Sequence, residues 1–121
     1  MTYIKGRIKS FNNASRGIIQ LFKRQQNARL QLLALVIVAG LGFIAKLTSN
    51  EWSIILLAIG LVLMAEALNT AIEYLADEVT QEYNEKIKLI KDISAGAVLI
   101  TAIISVIIGC IIFVPKLFCA V

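Results

Sequence analysis

Twenty-two consecutive residues, Ile93 to Val114, carry no charge. Two more apolar runs precede this one in a chain of only 121 residues. A helix needs about 20 residues, and tolerates about 17, to cross the hydrocarbon core of a bilayer. Leu30 to Leu47 is long enough, with fourteen uncharged residues from Leu32 to Ala45. Trp52 to about Ala76 opens with the pure apolar run Ile54 to Ala65. No water-soluble interior of this size could absorb three such stretches, since a domain this short buries only about two-thirds of its surface. The composition agrees: 59% of residues are hydrophobic and 17% charged, against about 45–50% and about 25% in soluble domains. We therefore expect an all-α integral membrane domain, with a surface helix over 1–27 and spans over 28–47, 52–77 and 92–114. Pro115 is expected to end the last span, because proline removes a backbone donor and clashes with the preceding turn.

The net charge of +4 comes from twelve Lys and Arg against eight Asp and Glu. Its placement favours a membrane surface over nucleic acid. Between Met1 and Arg29 lie seven bases, Lys5, Arg7, Lys9, Arg16, Lys23, Arg24 and Arg29, and no acid. Ile4, Ile8, Phe11, Ile18 and Phe22 recur at helical spacing between these bases, as in a helix lying in the bilayer interface. Placing the N-terminus and the Glu78–Lys91 connection on one side gathers ten of the twelve cations there. The positive-inside rule then puts the N-terminus in the cytoplasm, the C-terminus outside and the chain in the plasma (inner) membrane. Trp52 falls at the outer interface, where aromatic residues anchor.

Cys110 and Cys119 match no zinc or redox spacing and read as small hydrophobes. Ala97, Thr101, Ser105 and Gly109 make a small-residue stripe suited to close helix approach, and three helices alone make a thin bundle, so self-association is expected.

The residues that stand out are Glu66, Asn69, Glu73 and Asp77. Their offsets of 0, 3, 7 and 11 place them along one helical face, with Glu73 about 10 Å above Glu66 at about 1.5 Å per residue. An ionisable group inside a span costs at least ~2.5 kcal/mol, so two glutamates there mark function. Lys91 and Asp92 follow at the entry to the last span, where Asp92 is expected as a helix N-terminal acid. The chain has no histidine, no P-loop and no kinase-type glycine loop. Acid–base work must fall to carboxylates, lysine or tyrosine. Carboxylates can share Mg²⁺ with phosphates, and a free glutamate can accept a hydroxyl proton.

The run Glu66-Ala67-Leu68-Asn69-Thr70-Ala71-Ile72-Glu73, then Asp77, then Lys91-Asp92 with Ala95-Gly96-Ala97, resembles the small prokaryotic diacylglycerol kinase family, which includes undecaprenol kinases. The match covers nearly the whole chain. It implies a homotrimeric membrane enzyme that phosphorylates a lipid hydroxyl, of diacylglycerol or undecaprenol, with ATP and Mg²⁺. By that resemblance Glu66 is the general base and Asn69 orients the reacting groups. Glu73 ligates the metal, Lys91 and Asp92 meet the phosphates and nucleotide, and Glu82, Tyr83 and Asn84 touch the nucleotide. Asn84 and Gln31 each stand where the family commonly has histidine. Gln25 occupies the place of a second, glutamate metal ligand, which implies weakened metal affinity. Two other readings are open: a silent relative that binds lipid or a membrane partner, and a proton-coupled transporter. The transporter accounts for Glu66 but leaves Glu73, Asp77 and the Lys91-Asp92 pair unexplained.

Overall fold

A computed structural model describes residues 1–118; Cys119 lies outside the described residues. Four helices follow one another: α1 (Thr2–Arg24), α2 (Gln26–Ile44), α3 (Ser49–Val79) and α4 (Glu85–Phe118), with no strand among the described residues. The last three are long and apolar enough to cross a membrane. At about 1.5 Å per residue, α3 and α4 are about 46 Å and about 51 Å long. They therefore project beyond a hydrocarbon core of about 30 Å.

No residue of α1 is buried by the rest of the chain. Ile4, Ile8, Phe11 and Ile18 are all more than half exposed, which leaves the apolar stripe free for a bilayer surface. The helix ends three residues before the expected boundary at residue 27. Gln25 breaks it by adopting extended backbone angles, φ −107° and ψ 114°. Arg29 holds the corner by donating from Nη1 to the carbonyls of Phe22 (3.1 Å) and Lys23 (2.7 Å). These are the unpaired acceptors of a helix C-terminus, where a cation is favoured.

The α2–α3 turn is fixed from both sides. Lys46 takes a left-handed φ of 55°, and the Leu47 N–H returns to the Gly42 carbonyl at 3.2 Å. Thr48 and Glu51 then form a capping box, with Glu51 N–H donating to Thr48 Oγ1 (3.2 Å) and Thr48 N–H to Glu51 Oε1 (2.9 Å). Trp52 is partly buried, its ring 5.0 Å from that of Phe43. It packs the turn from within instead of only anchoring it to the interface.

The α3–α4 pair is an antiparallel hairpin joined through Thr80–Asn84. Glu51 pairs with Lys116 at 2.8 Å at one end, and Asp77 with Lys91 at 2.6 Å at the other. We call these the outer and basic ends. The outer half has an apolar core of Leu47, Ile55 and Ile112, flanked by Val38, Trp52, Ile59, Ile108 and Phe113. Outward-facing Leu56, Leu57, Val106 and Ile111 are each more than half exposed, as lipid-facing side chains should be. Part of the small-residue stripe is used within the chain, since Ser105 Oγ donates to the Ala58 carbonyl at 3.4 Å. Pro115 does not stop α4, which continues to Phe118. The proline costs one backbone bond, the one its N–H would have given to the Ile111 carbonyl, and the helix absorbs that loss.

Candidate functional site

At the basic end the burial pattern inverts. The covered side chains there are mostly polar: Glu66 is 3% exposed, Thr70 5%, Ser94 7% and Asn69 8%. Helical periodicity explains the arrangement on α3. Glu66, Thr70, Glu73 and Asp77 fall on successive turns of one face, while Asn69 is rotated from Glu66 by about 60° toward α4.

There Ser94 Oγ donates to Asn69 Oδ1 at 2.6 Å, and Asn69 Nδ2 donates to Glu73 Oε1 at 3.2 Å. On the other flank, Gln31 of α2 donates from Nε2 to Glu66 Oε2 at 3.3 Å. Gln31 Oε1 and the Thr70 hydroxyl are buried without a hydrogen-bond partner among the described residues. Buried polar atoms are nearly always paired, so two orphans beside one carboxylate cluster mark a place built for more than packing.

Gln31, Thr70 and Ser94 are the members that sequence reasoning did not assign. Thr70 had a signal, lying four residues after Glu66 and three before Glu73. Ser94 is the first hydroxyl of the charge-free run. Gln31 was visible only as a departure from the family pattern.

The rim is charged and open. Lys91 Nζ meets Asp77 Oδ1 at 2.6 Å, linking α4 to α3 with side chains 37% and 54% exposed. Asp92 accepts from Lys88 at 2.6 Å, one turn back on the same helix. The expected role of Asp92 as an N-terminal acid is not met. The helix begins at Glu85, which fills that role, and Asn84 caps it by accepting from the N–H groups of Lys86 (3.0 Å) and Ile87 (3.2 Å). Glu82 and Tyr83 lie in the connection, both exposed, and their side chains make no hydrogen bond among the described residues. The structure therefore brings Glu66, Asn69 and Glu73 together, sets Lys91 and Asp92 at the rim, and leaves Glu82 and Tyr83 apart from the cluster.

Gln25 donates from Nε2 to the Tyr74 hydroxyl at 3.0 Å, which anchors the α1–α2 corner one residue from Glu73. Among the described residues no three carboxylates or thiols come together as a metal cage. A Mg²⁺ ion that arrives on nucleotide phosphates needs only one or two protein oxygens. Asn69 occupies Oε1 of Glu73 and leaves Oε2, while Gln25 commits its nitrogen and keeps its carbonyl oxygen. Each of these residues can offer one oxygen to a cation that brings its other ligands as phosphates.

Residues 12–113 match the sequence profile of the prokaryotic diacylglycerol kinase family. The chain is 43% identical over 109 residues to the undecaprenol kinase of Bacillus subtilis, covering 90% of this chain and 89% of that one. It is 37% identical over 109 residues to the diacylglycerol kinase of Synechocystis, covering 89% of this chain and 62% of that longer one. Against the diacylglycerol kinase of Escherichia coli, 45% identity extends over 51 residues, 42% of each chain. The profile runs from the middle of α1 to the last turns of α4 and takes in every residue of the buried polar cluster, and the chain belongs to the prokaryotic diacylglycerol kinase family.

Proposed function

We propose that this protein is a membrane lipid kinase that transfers the γ-phosphoryl group of Mg-ATP to the hydroxyl of diacylglycerol or undecaprenol. The observation that carries the reading is Glu66, a carboxylate 3% exposed in a span and held by Gln31 on one oxygen only. In a chain of this family, such a group suits a general base. The names of the relatives support a lipid alcohol as acceptor.

In the proposed reaction the lipid oxygen attacks the γ-phosphorus as its proton passes to Glu66. The bond to the β-phosphate oxygen breaks, ADP leaves, and Glu66 later returns the proton to water. Bound Mg²⁺ would supply neutralisation of phosphate charge, held by Glu73 and Gln25. Lys91 releases Asp77 to meet the phosphates, with Asp92 beside it and Glu82, Tyr83 and Asn84 toward the nucleotide. Asn69 fixes Glu73. The basic, lipid-facing α1 holds the site against an anionic surface. Ten of twelve cations on one side support a plasma-membrane orientation with the N-terminus in the cytoplasm and the C-terminus outside. The small residues Ala97 and Gly109 suit a homotrimer.

The test is transfer of a radiolabelled γ-phosphate by the purified protein, with diacylglycerol and undecaprenol offered in parallel. Wild type should label one or both lipids. Glu66→Gln should lower kcat by about 10² or more with the assembly intact. Retained activity in that variant overturns the assignment of Glu66, and no label on either lipid overturns the choice of acceptors.

A further inference from the structure

We infer that Ser94 is a positioning residue for phosphoryl transfer: its hydroxyl locks the Asn69 side chain with the amide turned to Glu73. The inference rests on the kinase reading of the same site. Its first support is a contrast within the chain. Helical hydroxyls usually return their proton to a carbonyl three or four residues back. Ser10, Ser15, Ser53 and Thr101 do so here, bonding Gly6, Phe11, Ser49 and Val98 at 2.8–3.0 Å. Ser105 reaches α3 only at a backbone carbonyl 3.4 Å away, whereas Ser94 makes a 2.6 Å bond to a side chain there, at the short end of the range for O–H···O contacts.

The polarity of this chain of bonds is set by chemistry. An ionised Glu73 can only accept, so the group that faces it must be the Asn69 amide nitrogen. The Asn69 carbonyl oxygen then faces α4, where Ser94 is its donor. Both ends of the amide are thereby occupied, and neither can rotate without stranding a buried polar atom. Ser94 also lies one turn beyond Lys91 on α4. The same stretch of helix therefore makes both the Lys91–Asp77 pair and the Ser94–Asn69 bond. A turn of α4 about its axis would loosen the rim lysine and the Glu73 carboxylate together.

With Ser94→Ala, Asn69 loses its anchor and Glu73 loses a fixed donor. A lost neutral hydrogen bond corresponds to a change of about 3- to 10-fold. We expect kcat to fall by about that factor with the lipid KM unchanged, and the melting temperature in detergent to drop because Asn69 Oδ1 is left buried and unpaired. Without turnover, Mn²⁺ should bind the protein complex with a non-hydrolysable ATP analogue more weakly by a similar factor, read by electron paramagnetic resonance. Ser94→Thr, which keeps the hydroxyl, should restore both. On an Asn69→Ala background Ser94→Ala should add no further loss, because the residue acts through Asn69.

Equal losses on both backgrounds overturn the inference, as does unchanged Mn²⁺ affinity in Ser94→Ala. Should wild type label neither lipid, the choice of acceptors falls, and the Mn²⁺ measurement still decides the part played by Ser94.

Discussion

Gln31 and Glu66 meet across the α2–α3 interface, with the amide nitrogen 3.3 Å from Oε2 of the carboxylate. The other end of the amide, Oε1, is buried and unpaired. An amide can serve a glutamate in both protonation states, donating N–H to the carboxylate and, after a flip, accepting from the acid. The spare acceptor is thus the partner that a protonated Glu66 would need in the proposed reaction. In that reading α2, which also holds the α1 corner through Arg29, takes part in the chemistry.

Replacing Gln31 with Met removes the donor and the acceptor at nearly constant shape. A buried charged group left without its hydrogen bond costs about 1–3 kcal/mol. We expect kcat for lipid phosphorylation to fall by at least about five-fold, with the ATP KM unchanged. Equal kcat in wild type and Gln31→Met would show that Glu66 works without α2.

Gln25→Glu places a charge at the α1–α2 corner, one residue from Glu73 along the Tyr74 contact. Hard cations bind carboxylates more strongly than neutral amides. The variant should reach half-maximal activity at lower Mg²⁺ than wild type. An unchanged Mg²⁺ titration would mean that the corner does not reach the metal.

The spans and the carboxylate face were legible because each depends on one helix alone. Glu66, Asn69 and Glu73 sit on α3 at intervals that any helix turns to nearby faces. Ser94 and Gln31 were not legible, since their roles depend on which face of α4 and α2 meets α3, and no periodicity carries that. The start of α4 was partly signalled by Asn84 followed by Glu85, a cap and a first-turn acid. Reading the span from its apolar residues placed its start at Asp92, seven residues inside the helix. Apolar runs report where lipid begins, while helices begin where the backbone is capped.

At the outer end of the hairpin the Lys116 pair shifts a carboxylate. Glu51, just before the apolar run, has its carboxyl held below the usual 4.5, first by the Lys116 hydrogen bond and then by the Thr48 backbone N–H. A depressed folded-state value means the stabilisation is present above about pH 4.5 and is lost as pH falls through the folded value. The melting temperature of wild type in detergent should therefore drop below pH 4.5, and Glu51→Gln should flatten that part of the slope. Parallel curves for the two proteins would show that the Glu51–Lys116 pair adds nothing to stability.

Gly42 and Gly40 make a matched pair for testing the α2–α3 turn. Glycine inside a helix is less stable than alanine by roughly 0.5–1 kcal/mol, so Gly→Ala raises stability where space allows. At Gly40 a Cβ would meet nothing within 4 Å, and Gly40→Ala should hold or raise the melting temperature. At Gly42 the same atom would lie 2.6 Å from Cη2 and 2.9 Å from Cζ2 of Trp52, and 3.1 Å from Cδ1 of Leu47. The Trp52 ring is wedged between Gly42 and Phe43, and a rigid ring cannot yield as the tip of a flexible chain would. Gly42→Ala should therefore destabilise, by about 1–3 kcal/mol for overpacking less the helix gain. Trp52→Leu in the same chain should recover part of that loss by opening space above the new methyl. Thermal unfolding of the three variants beside wild type in one detergent tests the argument, and a Gly42→Ala protein as stable as Gly40→Ala would mean that Trp52 does not sit on α2.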